Sequence, residues 1–243
     1  MIKKSIILLC VAGTAVSLLF LYLPKTPVIA ATECGAIGPY ATGILPLEVD
    51  ALGIRADINP LTPALCDNAD ADSVVWVALE GNARCEYAQV GYGRDAHPSH
   101  TRAQIFSEYA KECGDNHFTR QLASIPTVTK RYKVRYIPRL KLIRMFADKL
   151  VVDATTTFDP AKTWEKPWRI EMLGETNFNG DDVPGTLENP VFFSNFRIQP
   201  CQGCAWVVPQ GLTLDSTNSR YGWVWDANDR FHIWTKCNQP TCP

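Results

Sequence analysis

The stretch EYAQVGYGR (residues 86–94) alternates apolar and polar positions with the period of two that is typical of a β-strand. This alternation places Gln89 on the same face as Tyr87, Gly91 and Gly93. Glycine inside a strand costs stability and often marks the close approach of a ligand or of another backbone. The stretch therefore predicts a strand on which few other side chains surround the amide of Gln89.

Short segments of the same texture follow one another over most of the chain, separated by turn residues and without the 3.6-residue period of helices. In FADKLVV, Asp148 and Lys149 indicate the tip of a tight hairpin, and Asn-Gly in NFNGDD is a second hairpin signal. Strands at such spacing predict an all-β, two-sheet sandwich or jelly roll. The predicted strands are 74–80, 86–94, 104–110, 117–122, 130–137, 141–148, 149–157, 168–178, 191–198, 205–209, 221–226 and 231–235.

The N-terminal segment 1–30 has the pattern of an export signal. MIKK is basic, residues 5–23 are apolar, and Val28 and Ala30 form a V-x-A cleavage pattern. The apolar run is also close to the length that spans a bilayer, so an uncleaved N-terminal membrane anchor is the alternative. In both cases we expect a secreted or extracytoplasmic protein, with an irregular lead over 31–72 and the β-sandwich domain over 73–243.

Cysteine usage agrees with an oxidising compartment. Apart from Cys10 in the export segment, the number of cysteines is even, which predicts up to four disulfides. We expect the CQGC pair to bond with the two C-terminal cysteines; a zinc site built from the same four is the alternative. The cysteines concerned are Cys34, Cys66, Cys85, Cys113, Cys201, Cys204, Cys237 and Cys242.

Charge and motifs exclude several functions. The chain has a formal net charge of -1, and removal of its first 30 residues leaves it more acidic, so nothing favours nucleic acid. It contains no G-x-S-x-G, no H-E-x-x-H and no phosphate-binding loop. No cofactor is indicated. Asp181 and Asp182 after Asn-Gly offer oxygen ligands to calcium, although a plain turn explains them as well.

A second strand, WRIEMLGETNF (168–178), also has one polar face. Its apolar face predicts burial, so the polar face meets either solvent or a groove. The polar face carries Arg169, Glu171, Leu173, Glu175 and Asn177.

Several short motifs in this order resemble the glutamic peptidases, both the fungal glutamic endopeptidases and the plant neprosins. The motifs are WVALEG (76–81), YAQVGY (87–92), IFSEY (105–109), MLGET (172–176) and VFFSNFRIQ (191–199). The same texture is similar to uncharacterised exported bacterial proteins with YAQ-G-Y and GET segments.

The resemblance implies a concanavalin-like sandwich that cleaves polypeptides at acid pH. It implies that Gln89 and Glu175 are the catalytic residues, with Glu171 as the alternative carboxylate. A carboxylate can serve as general base toward water, and an amide N–H can stabilise the oxyanion. Arg169 on the face of Glu175 is expected to lower the pKa of that carboxyl. The supporting residues are Arg169, Tyr87 and Asn177.

A non-catalytic protein of the cell surface is the competing interpretation, because sandwiches also serve as carbohydrate-binding and structural modules. In that case the partner is a surface glycan, and the membrane is contacted only through an uncleaved N-terminal segment. Exposed tryptophans would form the platform for sugars, whereas buried ones would fill the core. The candidates are Trp164, Trp168, Trp206, Trp223 and Trp225.

Overall fold

Antiparallel strands form two seven-stranded sheets in the computed structural model, which describes residues 34–49, 51–83, 85–124 and 128–236. Sheet A has the order β12-β1-β10-β3-β4-β5-β6, and sheet B has the order β13-β14-β11-β2-β7-β8-β9. The strands are β1 Ile37–Glu48, β2 Gly53–Ile58, β3 Asp72–Glu80, β4 Tyr87–Asp95, β5 Gln104–Ala110, β6 Asn116–Ser124, β7 Lys130–Ile137, β8 Leu142–Ala147, β9 Leu150–Ala154, β10 Arg169–Phe178, β11 Val191–Gln199, β12 Leu214–Ser216, β13 Tyr221–Ala227 and β14 Arg230–Thr235.

The core lies between the two sheets and follows directly from the alternation within each strand. In β7, Tyr132, Val134 and Tyr136 are buried while the basic residues between them reach the surface. Phe193 of β11 and Phe231 of β14 stack with their ring centroids 4.5 Å apart. Each sheet therefore has one apolar inner face and one outer face that is available for function.

The predicted all-β sandwich is confirmed, and every predicted strand except 205–209 has a counterpart. In that segment only Val207 pairs, through an isolated bridge to Ile198. One single-turn helix, α1 Pro160–Thr163, was not predicted. Asp159 caps it, since the side chain of Asp159 accepts a hydrogen bond from the Ala161 N–H.

The prediction of an irregular lead over 31–72 is wrong, because β1 and β2 lie within it. β1 pairs with β10 and β12 in sheet A, whereas β2 lies between β11 and β7 in sheet B. Glycine, proline and two register shifts interrupt the alternation of β1. The described residues before 73 therefore supply strands to both sheets of the sandwich.

One of the two hairpin signals is correct. Asp148, with φ 55°, and Lys149 connect β8 to β9 as predicted. The Asn-Gly prediction of a hairpin is wrong: after Phe178 the chain leaves sheet A, and the next strand, β11, belongs to sheet B.

The described residues form three disulfides, and the expected pairing of the CQGC cysteines is wrong. Cys34 bonds to Cys66 and Cys85 bonds to Cys113. Cys201 and Cys204 bond to each other across their short turn rather than to the C-terminal cysteines. Cys237 and Cys242 lie outside the described residues. Three disulfides are typical of an extracytoplasmic protein.

The predicted export signal or membrane anchor, 1–30, lies outside the described residues. Within the described ranges, no helix is long and apolar enough to cross a membrane.

Thr155 completes the pairing of β8 just after β9 ends, and its loss is expected to destabilise the fold. Its fully buried hydroxyl accepts a hydrogen bond of 2.9 Å from the Ile143 N–H. Thr155→Val keeps the shape but leaves that N–H without its partner, so we expect the free energy of unfolding to fall by about 1–3 kcal/mol. Urea denaturation measures this change. Thr217→Val, at an exposed position, is the control, and an equal loss there would contradict the explanation.

Candidate functional site

The outer face of sheet A brings the predicted site residues onto neighbouring strands. Gln89 lies on β4 and Glu175 on β10, with β3 between them. Gln89 stands opposite Ala78 of β3, whereas Glu175 stands opposite Val74 of the same strand. The two residues thus share a face but occupy different rows of the sheet.

A cavity of about 110 Å³ connects these two rows. Both Gln89 and Glu175 line it, and a volume of this size is sufficient for a few water molecules. Its lining residues are Asp72, Val74, Gln89, Phe106, Glu108, Phe118, Glu175, Thr176 and Asn177.

Gln89 is held by Glu108, a carboxylate that was not among the predicted site residues. The Gln89 Nε2 donates a hydrogen bond of 2.8 Å to Glu108 Oε2. The Tyr87 hydroxyl donates one of 2.6 Å to Glu108 Oε1. Glu108 lies on β5 directly opposite Gln89. The amide is 8% exposed, so its orientation is fixed by these contacts rather than by solvent.

Glu175 is a carboxyl whose environment favours the protonated form. Burial raises its pKa to about 7, and the nearby carboxylates Glu108 and Asp72 act in the same direction. The indole N–H of Trp76 donates a hydrogen bond of 3.1 Å to Glu175 Oε2, which opposes part of that rise. A carboxyl with a pKa near neutrality is suited to proton transfer.

Arg169 does not have the effect expected for it. It forms an ion pair of 3.2 Å with Glu80, which lies opposite it on β3. The expectation that Arg169 lowers the pKa of Glu175 is therefore wrong, because burial dominates and raises that pKa.

Glu171, the alternative carboxylate, belongs to a separate pair. It is 8% exposed and lies in the same row as Gln89, with Ala78 between them. Burial and the neighbouring carboxylate Glu80 raise the pKa of Glu171 well above its ordinary value. Glu171 is not among the residues that line the cavity. The protonated carboxyl of Glu171 thus interacts with Glu80 rather than with Gln89.

Close contact with β3 explains the glycines of β4. A Cβ at Gly91 would lie 1.8 Å from the carbonyl oxygen of Val75 and 2.7 Å from the Cα of Trp76. The close approach is therefore made by the backbone of β3, and no side chain fits at this position.

The remaining predicted residues have identifiable contacts. Asn177 lines the cavity, and its Nδ2 donates to the Asp70 carbonyl at 3.3 Å. Asp181 accepts a hydrogen bond of 2.8 Å from the Cys66 N–H, and Asp182 pairs with Arg220 at 2.8 Å. The two calcium candidates thus have structural partners. Among the described residues, no group of three or more acidic, histidine or cysteine side chains is placed to hold a metal.

The tryptophans do not form one platform. Trp164 and Trp168 are buried in the core. Trp206 lies beneath the guanidinium of Arg55. Trp223 is 39% exposed, and Trp225 packs against the aromatic core through Phe231 at 5.7 Å.

The sequence contained a usable signal for the residues that were missed. Glu108 is the one charged residue in the otherwise uncharged strand QIFSEYA. Trp76 has the parity along β3 that places it on the outer face, between the rows of Glu175 and Gln89. Glu108 and Trp76 can be assigned to the site only when the strand order is known, because that order sets β3 and β5 beside β4.

No family model and no curated protein matches this sequence. Two solved structures of scytalido-glutamic peptidase are similar to it. The one solved with a transition state analog inhibitor has a TM-score of 0.57 and 9% identity, over 85% of this chain and 98% of that chain. The chain has a glutamic-peptidase-like fold. The structure with a peptide based transition state analog has a TM-score of 0.56 and 10% identity, over 82% and 100%. The resemblance inferred from the motifs is thus confirmed for the β-sandwich.

Proposed function

We propose that this protein is an exported glutamic endopeptidase, with Glu175 as its proton-transferring residue and Gln89 as its hydrogen-bond donor. The observation that carries the proposal is the shared cavity: a carboxyl with a pKa of about 7 and an oriented amide line the same small space. The similar scytalido-glutamic peptidase structures, both solved with transition state analogs, support the choice of reaction.

The raised pKa determines how Glu175 enters the reaction at acid pH. Below about pH 7 its carboxyl is protonated, so it begins as general acid rather than as the general base expected from the sequence. It donates its proton to the oxygen of the scissile carbonyl while water adds to the carbon. The resulting carboxylate then takes a proton from the added water and passes it to the departing amine. As the intermediate collapses to the acid product, the substrate hydroxyl returns the first proton to Glu175, which restores the protonated carboxyl.

Gln89 stabilises the partial negative charge that develops on the substrate oxygen before proton transfer from Glu175 is complete. An amide NH₂ group has two donors, and Glu108 accepts from one of them. This contact fixes the Gln89 amide, so its second N–H is already oriented when the substrate binds. A preorganised donor stabilises developing charge more effectively than one that must first reorient. Tyr87 supports the same carboxylate from its other oxygen.

The substrate class is polypeptide, and the test is direct. The purified protein is incubated with a denatured mixture of proteins from pH 2 to pH 8, and the fragments are identified by mass spectrometry. We expect internal cleavage at acid pH. A folded protein that cleaves nothing at any pH would favour the alternative, a non-catalytic carbohydrate-binding or structural protein of the cell surface.

We also propose that residues 1–30 direct export. Mass spectrometry of the native N-terminus separates the two forms of this proposal, since a chain that begins near Ala31 has lost the segment and an intact chain retains it as an anchor.

The pH dependence of cleavage is expected to report the ionisation of Glu175. Because the protonated form is active, kcat/KM falls as pH rises through about 7. Trp76→Phe removes the hydrogen bond that lowers this pKa, so the falling limb moves to higher pH. Trp206→Phe, which lies against Arg55 of sheet B, leaves the limb in place. A limb that stays unchanged or moves to lower pH in Trp76→Phe would contradict the assignment.

A further inference from the structure

The outer face of sheet B carries a concentration of positive charge that the proposed peptidase does not use. Six basic side chains project from four adjacent strands of this sheet. The outer face of sheet A carries carboxylates instead. The formal net charge of the whole chain is close to zero, so it does not reveal this local concentration of positive charge. We call these six residues the basic face: Arg55, Arg131, Lys133, Arg135, Arg144 and Arg197.

The strand register places like charges directly opposite one another. Arg55 stands between Arg197 on one neighbouring strand and Lys133 on the other. Arg135 stands opposite Arg144. Like charges at directly opposed positions destabilise a sheet. Repulsion between these opposed cations therefore lowers the stability of sheet B.

Few carboxylates relieve this repulsion. Asp57 pairs with Arg131 at 2.6 Å, and Asp229 pairs with Arg197 at 2.6 Å. Within the described part of the chain, Arg55, Lys133, Arg135 and Arg144 form no ion pair. The guanidinium Nε atoms of Arg55 and Arg135 are buried and make no hydrogen bond there.

Aromatic rings hold two of these cations against the sheet. The Arg55 guanidinium lies 4.7 Å from the ring centroid of Trp206, and the Lys133 ammonium lies 3.9 Å from that of Phe146. Burial lowers the pKa of Lys133, and repulsion from Arg135 and Arg55 lowers it further. A bound anion would remove that repulsion without any rearrangement of the side chains.

We propose that the basic face binds a linear acidic polysaccharide. Strands lie about 4.8 Å apart, so the charges extend over roughly 14 Å across the sheet and about 13 Å along β7, which exceeds the size of a single small anion. The surface is an open sheet face that suits an extended polymer. The disulfides among the described residues indicate an oxidising compartment outside the cytoplasm, where nucleic acid is not the expected partner, so we choose an acidic glycan as the polyanion.

Binding of sulfated dextran oligomers to the disulfide-bonded protein, measured by calorimetry, tests the proposal. We expect binding that weakens as salt rises from 50 to 300 mM, and no binding of neutral dextran of the same length. The double variant Lys133→Met, Arg144→Gln is expected to bind at least tenfold more weakly. The control Arg102→Gln, Lys162→Met removes the same charge outside sheet B and is expected to bind like the wild type.

Thermal unfolding separates a lost site from a damaged fold. Lys133→Met retains contact with Phe146 but removes a repelled charge, so its Tm is expected to equal or exceed that of the wild type. Equal weakening in the control pair, absence of binding, or tighter binding of duplex DNA or anionic vesicles at matched charge would each overturn the proposal. Binding that disappears because one copy occupies the basic face of another, seen as concentration-dependent mass by light scattering, would also overturn it.

Discussion

Glu175→Gln is expected to lower kcat for peptide cleavage about 10²–10⁴-fold, the usual contribution of general acid–base catalysis. The glutamine side chain fills the same space and still accepts the hydrogen bond from Trp76, but it transfers no proton. The loss is expected mainly in kcat, because proton transfer belongs to the transition state and not to substrate binding. Steady-state hydrolysis of a fluorogenic peptide at pH 5 measures it.

Glu171→Gln is the matched control, since it makes the same chemical change on the same strand four residues away. Glu171 is paired with Glu80 and does not line the cavity, so we expect kcat to change less than tenfold. The reverse result, with Glu171→Gln inactive and Glu175→Gln active, would assign catalysis to the row that Gln89 shares with Glu171.

The stability of Glu175→Gln excludes unfolding as the cause of lost activity. The folded protein keeps the proton of Glu175 up to about pH 7, whereas the unfolded chain releases it near the ordinary value of 4.5. The folded state binds more protons in this window, so the free energy of unfolding falls as pH rises through it. The variant lacks this loss and is expected to be at least as stable as the wild type at neutral pH.

Strands with strict alternation could be predicted from the sequence because burial alone determines their pattern. In RYKVRY (131–136) each apolar residue faces the core and each basic residue faces outward, as β7 shows. β1 could not be predicted in this way. Its pattern is interrupted at Gly43, where a Cβ would lie 2.3 Å from the Met172 carbonyl oxygen of β10. A requirement imposed by a strand more than a hundred residues away leaves no readable local signal.

The site shows the same division between local and long-range information. Alternation was sufficient to place Gln89 and Glu175 on outward faces. The partners of these residues depend on strand order and register, which bring Glu108 beside Gln89 and Glu80 beside Arg169. The pKa of Glu175 depends on burial by several strands, so the nearest cation along its own strand was a misleading guide.

Gln89→Leu is expected to lower kcat about 10²–10³-fold, the usual cost of removing one donor to a developing oxyanion. Leucine approximates the volume of glutamine but has no N–H, and it leaves Glu108 with the hydrogen bond from Tyr87. KM is expected to change little, because the donor acts on charge that appears only in the transition state. Single-turnover cleavage of the same peptide isolates the chemical step.

Two further variants distinguish a donor from a support. Glu108→Gln keeps the Gln89 amide in place but replaces its charged acceptor with a neutral one, so a smaller loss than in Gln89→Leu is expected. Tyr87→Phe leaves the contact between Gln89 and Glu108 intact and is expected to have the smallest effect. If Gln89→Leu retained full kcat while Glu108→Gln lost it, the carboxylate of Glu108 would be the group that acts on the substrate, and the amide would only hold it in place.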